Sequence, residues 1–476
     1  MEVFIMRDYN FGNFICKLRL EMGLSQFQLG KLIGVSDKAV SKWENGSAKP
    51  RLDTCHQLAS VFHISIDELL ACKNTKGTFT MEDTLWEKAY SHLTEIYGEH
   101  PPLEILEHFE VEKQQLYHSK TLVFLHYCEL LHQAGISAEI WGPVSNSFIG
   151  WLFGVTRVNP LAPHYYCPNC KSVQFQHTVP DGWDLRDKRC CCGAQMHGEG
   201  HHLPPDEFLL YARNSPSYEL HLPKQKFKQA KQMLQQSFAP FVTIYPLEIT
   251  DRSAFFKQHK EDYMDFLLFD SHGDMSHNTD QVYLRKTYAE LNQKDHCMRI
   301  SFYDTDQPVS YRPVNPLWFS TEQLRHYIQN EYQGTETKAL AAALQRKADL
   351  HFSDVLQLLG LECATGAWKD NGEILVKSGI SYMDMIAYRE DLFWLIQEKM
   401  YQRNIYSTAI AFQMMTLCQK GQWYQKKMHA STKIFLEEIG IDAWQIGFLT
   451  QIRYLFPKGH MINILCNRLE ALHSKT

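Results

Sequence analysis

The chain has 476 residues, 44% hydrophobic and 21% charged, with a formal net charge of −6. That length accommodates about three domains, and no apolar run is long enough to span a membrane. The acidic balance excludes a globally basic nucleic-acid binder. Any DNA contact must come from local charge placement, since residues 1–72 carry eight Lys/Arg and eight Asp/Glu.

The opening MEVFIMRDYN lacks the basic head and apolar core of a secretory signal. Thirteen cysteines, an odd number, stand mostly alone in apolar settings such as Phe14-Ile15-Cys16. This usage points to reduced thiols in a cytoplasmic protein, with one cluster reserved for metal.

Residues 11–71 read as five short helices. Ser25 followed by Gln28 is a capping-box signature, Gly34-Val35-Ser36 gives a tight turn, and Ser36 caps a second helix over 37–45. Leu24, Leu29, Leu32, Ile33, Val35, Val40 and Trp43 are spaced to bury one face of each helix. A helix, a tight turn and a second helix with polar residues outward is a DNA-reading arrangement. A bundle that makes only protein contacts is the alternative. The stretch SQFQLGKLIGVSDKAVSKWENG resembles the Cro/C1-type (XRE) helix-turn-helix family over about 60 residues. The resemblance implies that Gln26 contacts the DNA backbone or a base edge, and that Asp37, Lys38, Ser41 and Lys42 face the major groove, with Ser36 at the helix start. It also implies a homodimer on double-stranded DNA. Gly30 departs from the family's usual Ala, at a helix-propensity cost of up to about 1 kcal/mol.

Residues 73–84 then read as a linker, with KNTKGTFT at its centre. The pattern is helical from 84 to 135, rich in Pro, Gly, His and β-formers from 136 to 320, and helical again from about 335. The runs FVTIYPLEI and FLLFD read as strands. The expected architecture is multidomain and mostly α with an α+β middle: a helix-turn-helix bundle at 1–72, a second domain at 85–330 and a helical one at 331–476.

Within 164–205 lie two cysteine clusters. Cys167-Pro-Asn-Cys170 has the bite of a zinc knuckle, but the second pair is compressed into Cys190-Cys191-Cys192. The expectation is a structural zinc on Cys167, Cys170, Cys190 and Cys192, with Cys191 as a substitute ligand. The alternative is a collapsed loop of reduced thiols.

The stretches GVTRVNPLAPHYYCPNC, DGWDLRDKRCCCG and HHLPPDEFLLYA resemble the palm of C-family replicative DNA polymerases of the PolC type. AYSHLTEIYGEHPPLEILEHFEVEKQQL upstream resembles the helices that open that palm. FSDVLQLLGLECATGAWKDNGEILVKSGI and FLEEIGIDAWQIGFLTQIRYLFPKGHMINIL downstream resemble its fingers, in the same order. So residues 85–476 look like a shortened palm and fingers, without the family's exonuclease or its duplex- and clamp-binding tail.

The resemblance places the family's Asp-x-Asp pair on Ser217 and Glu219 and its third carboxylate on Asp270. Trp141 stands where the phosphate-loop arginine belongs, and Pro143 removes a backbone donor. These changes argue for an inactive pseudo-polymerase, because two-metal nucleotidyl transfer needs the carboxylates. Lys458 and His460, in FPKGH, either contact nucleic acid or hold a helix junction. Asp304-Thr305-Asp306 reads as a polar turn, and the HGEGHH run from His197 to His202 as a solvated loop.

The leading expectation is a sequence-specific DNA-binding regulator with a polymerase-derived sensor or interaction body. A non-catalytic modulator of replication, bound to replication proteins, and a weak residual nucleotidyltransferase are the alternatives.

Overall fold

The computed structural model describes residues 11–12, 15–16, 18–19, 22, 24–44, 48–62, 64, 66, 69, 81–141, 143–204, 217–238, 242–246, 263–270, 297–304 and 319–473, apart from 117–120. The linker KNTKGTFT, Gly142, Thr305 and Asp306 lie outside the described residues. The chain forms two compact units, Met1–Glu87 and Lys88–Thr476.

In the first unit, helices Gln26–Leu32, Asp37–Glu44 and Leu52–Phe62 are complete, and residues 11–12, 15–16, 18–19, 66 and 69 are also helical. Their core is Phe11, Ile15, Leu29, Ile33, Val40, Trp43, Cys55, Leu58 and Phe62, with Leu69. Of the residues expected to be buried, Leu32 is instead 58% exposed.

Among the described residues, the second unit holds two sheets and a large helical core. The strands of the first sheet are β1 (Glu139–Trp141), β6 (Ser217–Leu222), β7 (Val242–Pro246), β8 (Tyr263–Asp270) and β9 (Cys297–Asp304), in the order β1-β6-β9-β8-β7. Only the β6–β9 pair is parallel. The short apolar runs read as strands fall in β7 and β8. The helix Phe227–Phe238 inside the expected β region was not foreseen.

Alternation sends Tyr218, Leu220, Leu222, Ile300 and Phe302 to one face, where all are buried. Helix Thr121–Gln133 closes over that face: Phe124 stacks on Tyr218 at 4.1 Å, and Thr121 Oγ1 lies 2.6 Å from the Tyr218 hydroxyl. Helix Phe227–Phe238 adds Phe227 against Phe302.

The second sheet, in the order β3-β2-β5-β4, comprises β2 (His164–Tyr166), β3 (Val173–Phe175), β4 (Lys188–Arg189) and β5 (Gln195–Glu199). β2 runs into Cys167 and β4 into Cys190, so the sheet itself delivers the cysteines. The C-terminal half is helical, built around Phe352–Cys363, ten of whose residues are buried, and Lys458–His473.

Candidate functional site

The capping box at Ser25 is formed. Ser25 Oγ accepts from the Gln28 amide at 3.1 Å, and Gln28 Oε1 accepts from the Ser25 amide at 2.7 Å. Gly34 takes the left-handed turn at φ 72°, and Ser36 Oγ accepts from the Ala39 amide at 3.2 Å. On the helix that follows, Asp37, Lys38 and Lys42 are exposed and Ser41 half-buried, while Val40 and Trp43 are buried on the other side. The i, i+4 pairs 37/41 and 38/42 thus share one outward face.

At the C-terminal end of that helix, Glu44 is almost wholly buried. It accepts from Arg19 Nε at 2.6 Å, Arg19 Nη2 at 2.9 Å and Gln26 Nε2 at 2.7 Å. The Gln26 amide therefore braces the joint between the two helices. Gly30 also has a packing reason: a Cβ there would sit 2.8 Å from the Val35 carbonyl oxygen.

In the second unit, the sulfurs of Cys167, Cys170, Cys190 and Cys192 all lie within 4.8 Å of one another. Cys167 and Cys192 are 3.6 Å apart, and Cys170 and Cys190 are 3.4 Å apart. A tetrahedral ion with metal–sulfur bonds of about 2.3 Å needs sulfur separations of about 3.8 Å. The four fit that demand.

The compressed triplet reaches this geometry by a shorter version of the same turn. In the first knuckle the Cys167 amide donates to Ser172 O, and Lys171 N–H donates back to Cys167 O, with Lys171 at φ 62°. In the second, the Cys190 amide donates to Ala194 O, and Gly193 N–H donates back to Cys190 O, with Gly193 at φ 87°. One residue fewer separates the cysteines, yet both knuckles close through a left-handed residue directly after the second ligand. The Ala194 amide helps bring the Cys192 thiol down to about 6. At Cys170 the Ser172 amide works downward, but Cys190, Cys167 and Cys192 outweigh it and push the thiol up to about 12. A cation would let these thiols ionise together.

The sheet register places the other predicted positions. Ser217 pairs with Arg299, and Glu219 pairs with Ser301 across the β6–β9 ladder. Across β9–β8, Arg299 pairs with Leu267 and Ser301 with Asp265. Positions 217, 219, 299, 301 and 265 therefore share one face. Asp270 has the parity of 264, 266 and 268, the opposite face. The register thus does not bring Asp270 to the Ser217–Glu219 face as the resemblance implied. Asp304 pairs with Leu222 and has the parity of the buried residues.

On the Glu219 face, His221 Nε2 lies 3.9 Å from Glu219 Oε2, and the His221 ring stacks on Tyr303 at 4.9 Å. Burial, then His221, lowers the His460 pKa, with Glu219 opposing. Gly459 is pressed against Asn146, where any Cβ would collide with the amide oxygen. That contact seats FPKGH against the segment after β1.

Lys458 is not directed outward. Its ammonium lies 3.3 Å from Asp391 Oδ1, and its backbone amide donates to Glu390 Oε2 at 2.8 Å. Burial works against its charge, but Asp391 more than compensates and the pKa rises.

Two groups were not foreseen. Glu112 is fully buried and caps helix Phe148–Leu152, accepting from Ser147 Oγ, from the Phe148 amide at 2.7 Å and from the Ile149 amide at 3.3 Å. Burial raises its pKa to about 7 despite those donors. HGEGHH is largely interior: Glu199 and His201 are buried, and His201 Nδ1 sits 2.9 Å from Asp181 Oδ2. The solvated-loop expectation fails there because Gly198 and Gly200 let the strand pack directly against backbone.

A helix-turn-helix family profile matches residues 17–69. The PolC-type DNA polymerase III of Ureaplasma parvum is 23% identical over 455 residues, covering 78% of this chain and 30% of that protein. Those of Listeria welshimeri and Staphylococcus aureus are also 23% identical, covering 80% and 83% of this chain and 31% and 32% of theirs. The chain joins a helix-turn-helix to a PolC-like region. It spans about a third of the length of these relatives. A solved structure of PlcR from Bacillus thuringiensis, with the peptide PapR7 and DNA, matches 27% of this chain and 44% of that one. Its identity is 18% and its TM-score 0.14, too low to inform the arrangement here.

Within the helix-turn-helix, the structure brings Asp37, Lys38, Ser41 and Lys42 together on one outward face and turns Gln26 inward to Glu44. Within the PolC-like region it gathers the four cysteines, sets His460 near Glu219 and His221, and parts Asp270 from them by parity. Among the described residues, no helix is long and apolar enough to cross a membrane.

Proposed function

We propose that this chain is a sequence-specific transcriptional regulator, acting as a homodimer on an operator in the cytoplasm, and that its PolC-like region is a catalytically inactive sensor or interaction body. The observation that carries the DNA reading is the outward face of Asp37, Lys38, Ser41 and Lys42 on a helix whose last residue, Glu44, is held by Arg19 and Gln26. A major-groove helix needs that combination of polar face and fixed angle. Lys38 and Lys42 neutralise phosphates, and Asp37 accepts from a cytosine amino group. Duplex binding by the full chain across a salt series tests this. The Lys38→Ala, Lys42→Ala double variant should bind more weakly, with a shallower dependence on salt by about two phosphate contacts.

Inactivity rests on the Glu219 face. Two-metal nucleotidyl transfer requires several carboxylates around one pair of ions. Here Ser217 stands at the first Asp position and Asp270 has the opposite parity, although positions 139 and 265 keep acidic residues on the Glu219 face. In the cysteine cluster, zinc on Cys167, Cys170, Cys190 and Cys192 has a closed coordination sphere and is structural. Loss of the fold's second sheet on chelation would be its signature.

A second reading, modulation of replication by contact with nucleic acid or replication proteins, draws on the half-buried Lys458 and His460 of FPKGH. The Lys458–Asp391 pair speaks against it, because that ammonium is already committed within the body.

A further inference from the structure

Among the described residues, the exposed cysteines are Cys170, Cys191 and Cys192. Cys170 and Cys192 belong to the four-sulfur set, and Cys191 stands outside it. The metal geometry gives this thiol no part, yet two features tie it to the site.

The first is contact. Cys191 Sγ lies 3.8 Å from Cys190 Sγ, which does belong to the set. The turn holds this pair in place, because the Cys190 amide donates to Ala194 O and Gly193 N–H donates back to Cys190 O. The second is access. Cys191, Cys192 and Gly193 are exposed in succession, and a Cβ on Gly193 would meet nothing within 4 Å. Cys190 itself is 7% exposed and Cys167 0%. A small solute that reaches this turn meets the Cys191 thiol, with the buried Cys190 sulfur in contact with it.

We infer that Cys191 is an oxidation site for peroxides and that Cys190 is its resolving thiol. The inference rests on the reading of the four cysteines as a zinc site. Thiolate is the reacting form of cysteine. A cation draws electron density from the sulfurs it holds, which leaves Cys191 as the better nucleophile. The Cys191 thiolate attacks one peroxide oxygen, the O–O bond breaks, and hydroxide leaves. The sulfur is then a sulfenic acid. The Cys190 thiolate attacks that sulfur, the S–O bond breaks, and a second hydroxide leaves. Two sulfurs have given up two electrons, and the peroxide has been reduced to two hydroxides.

The consequence falls on the metal set. With Cys190 in a disulfide, three thiolates remain, and the closed coordination of a structural site is lost. Exchange with a thiol reductant reverses the step. In a reducing compartment such a disulfide is transient, as redox-sensing ones are.

The test uses the full chain and hydrogen peroxide. Zinc content of the untreated chain is measured first and tests the zinc reading by itself. Zinc release is then followed with a coloured chelator, and free thiols are alkylated for peptide mass analysis. After peroxide, the peptide that holds residues 190–192 should carry one alkyl group, on Cys192, where the untreated chain carries three. Cys191→Ser should hold its zinc before treatment and release it about tenfold more slowly at the same peroxide concentration. Dithiothreitol with added zinc should restore the wild type. Equal release rates in wild type and Cys191→Ser would overturn the inference. So would alkylation of all three cysteines after treatment, or a disulfide that joins any other pair. A chain that carries no zinc at the outset contradicts the zinc reading instead, and the alkylation pattern still decides for or against the Cys190–Cys191 bond.

Discussion

Lys171 and Gly193 hold equivalent places in two knuckles of unequal length. Each is left-handed, each follows the second clustered cysteine of its knuckle, and each donates its amide back to the first cysteine carbonyl of its own knuckle. The equivalence pairs Cys167 with Cys190 and Cys170 with Cys192, and leaves Cys191 as an exposed spacer. Cys191→Ser should keep one zinc per chain by metal analysis, whereas Cys192→Ser should lose it. Gly193→Ala should reduce zinc retention, because φ 87° strains any Cβ. Lys171→Gly, which relieves the same strain, should not.

Glu44 collects three hydrogen bonds from Arg19 and Gln26 at the C-terminal end of the helix Asp37–Glu44. Removing it leaves the Arg19 guanidinium buried without its partner, a change worth about 3–5 kcal/mol. Glu44→Ala should unfold the N-terminal unit at ordinary temperature. A thermal scan should show that transition falling while the one from the PolC-like region stays in place.

Glu112 gives a pH prediction. Its pKa rises from 4.5 to about 7 on folding. Between those values the unfolded chain ionises while the folded carboxyl stays protonated. The folded state therefore binds more protons, and stability falls as pH rises through the window, levelling off above pH 7. The full effect is about 3 kcal/mol. Glu112→Gln removes this component. Thermal midpoints of wild type and variant should therefore diverge between pH 4.5 and 7, wild type losing ground as pH increases. Parallel curves would place the Glu112 pKa near its ordinary value.

Primer extension addresses the Glu219 face. With magnesium or manganese, the full chain should incorporate no nucleotide above the level of a Glu219→Ala control. Incorporation abolished by Glu219→Ala or Asp270→Ala would show a working metal site and overturn the pseudo-polymerase proposal.

Much of the first unit was legible because its signals are local. Ser25 and Gln28 lie three residues apart, and so the capping box is visible in sequence. The cysteine set was legible too, since few folds spend four thiols within 26 residues otherwise. What escaped was long-range. The Gln26–Glu44 bond spans 18 residues and the Lys458–Asp391 pair 67, and neither leaves a spacing to read. The parity of Asp270 depends on β9 inserting between β6 and β8, which alternation within a single strand does not disclose. HGEGHH looked polar, but its two glycines are what let it pack inside.

The central claim is that residues 1–72 direct this chain to particular DNA sequences. Affinity selection of fragmented genomic DNA should compare the full chain with a form lacking those residues. Enrichment of one or a few discrete sites, lost in the shortened form, is the predicted result. Unfocused binding that survives the deletion would contradict it and move the function to the PolC-like region.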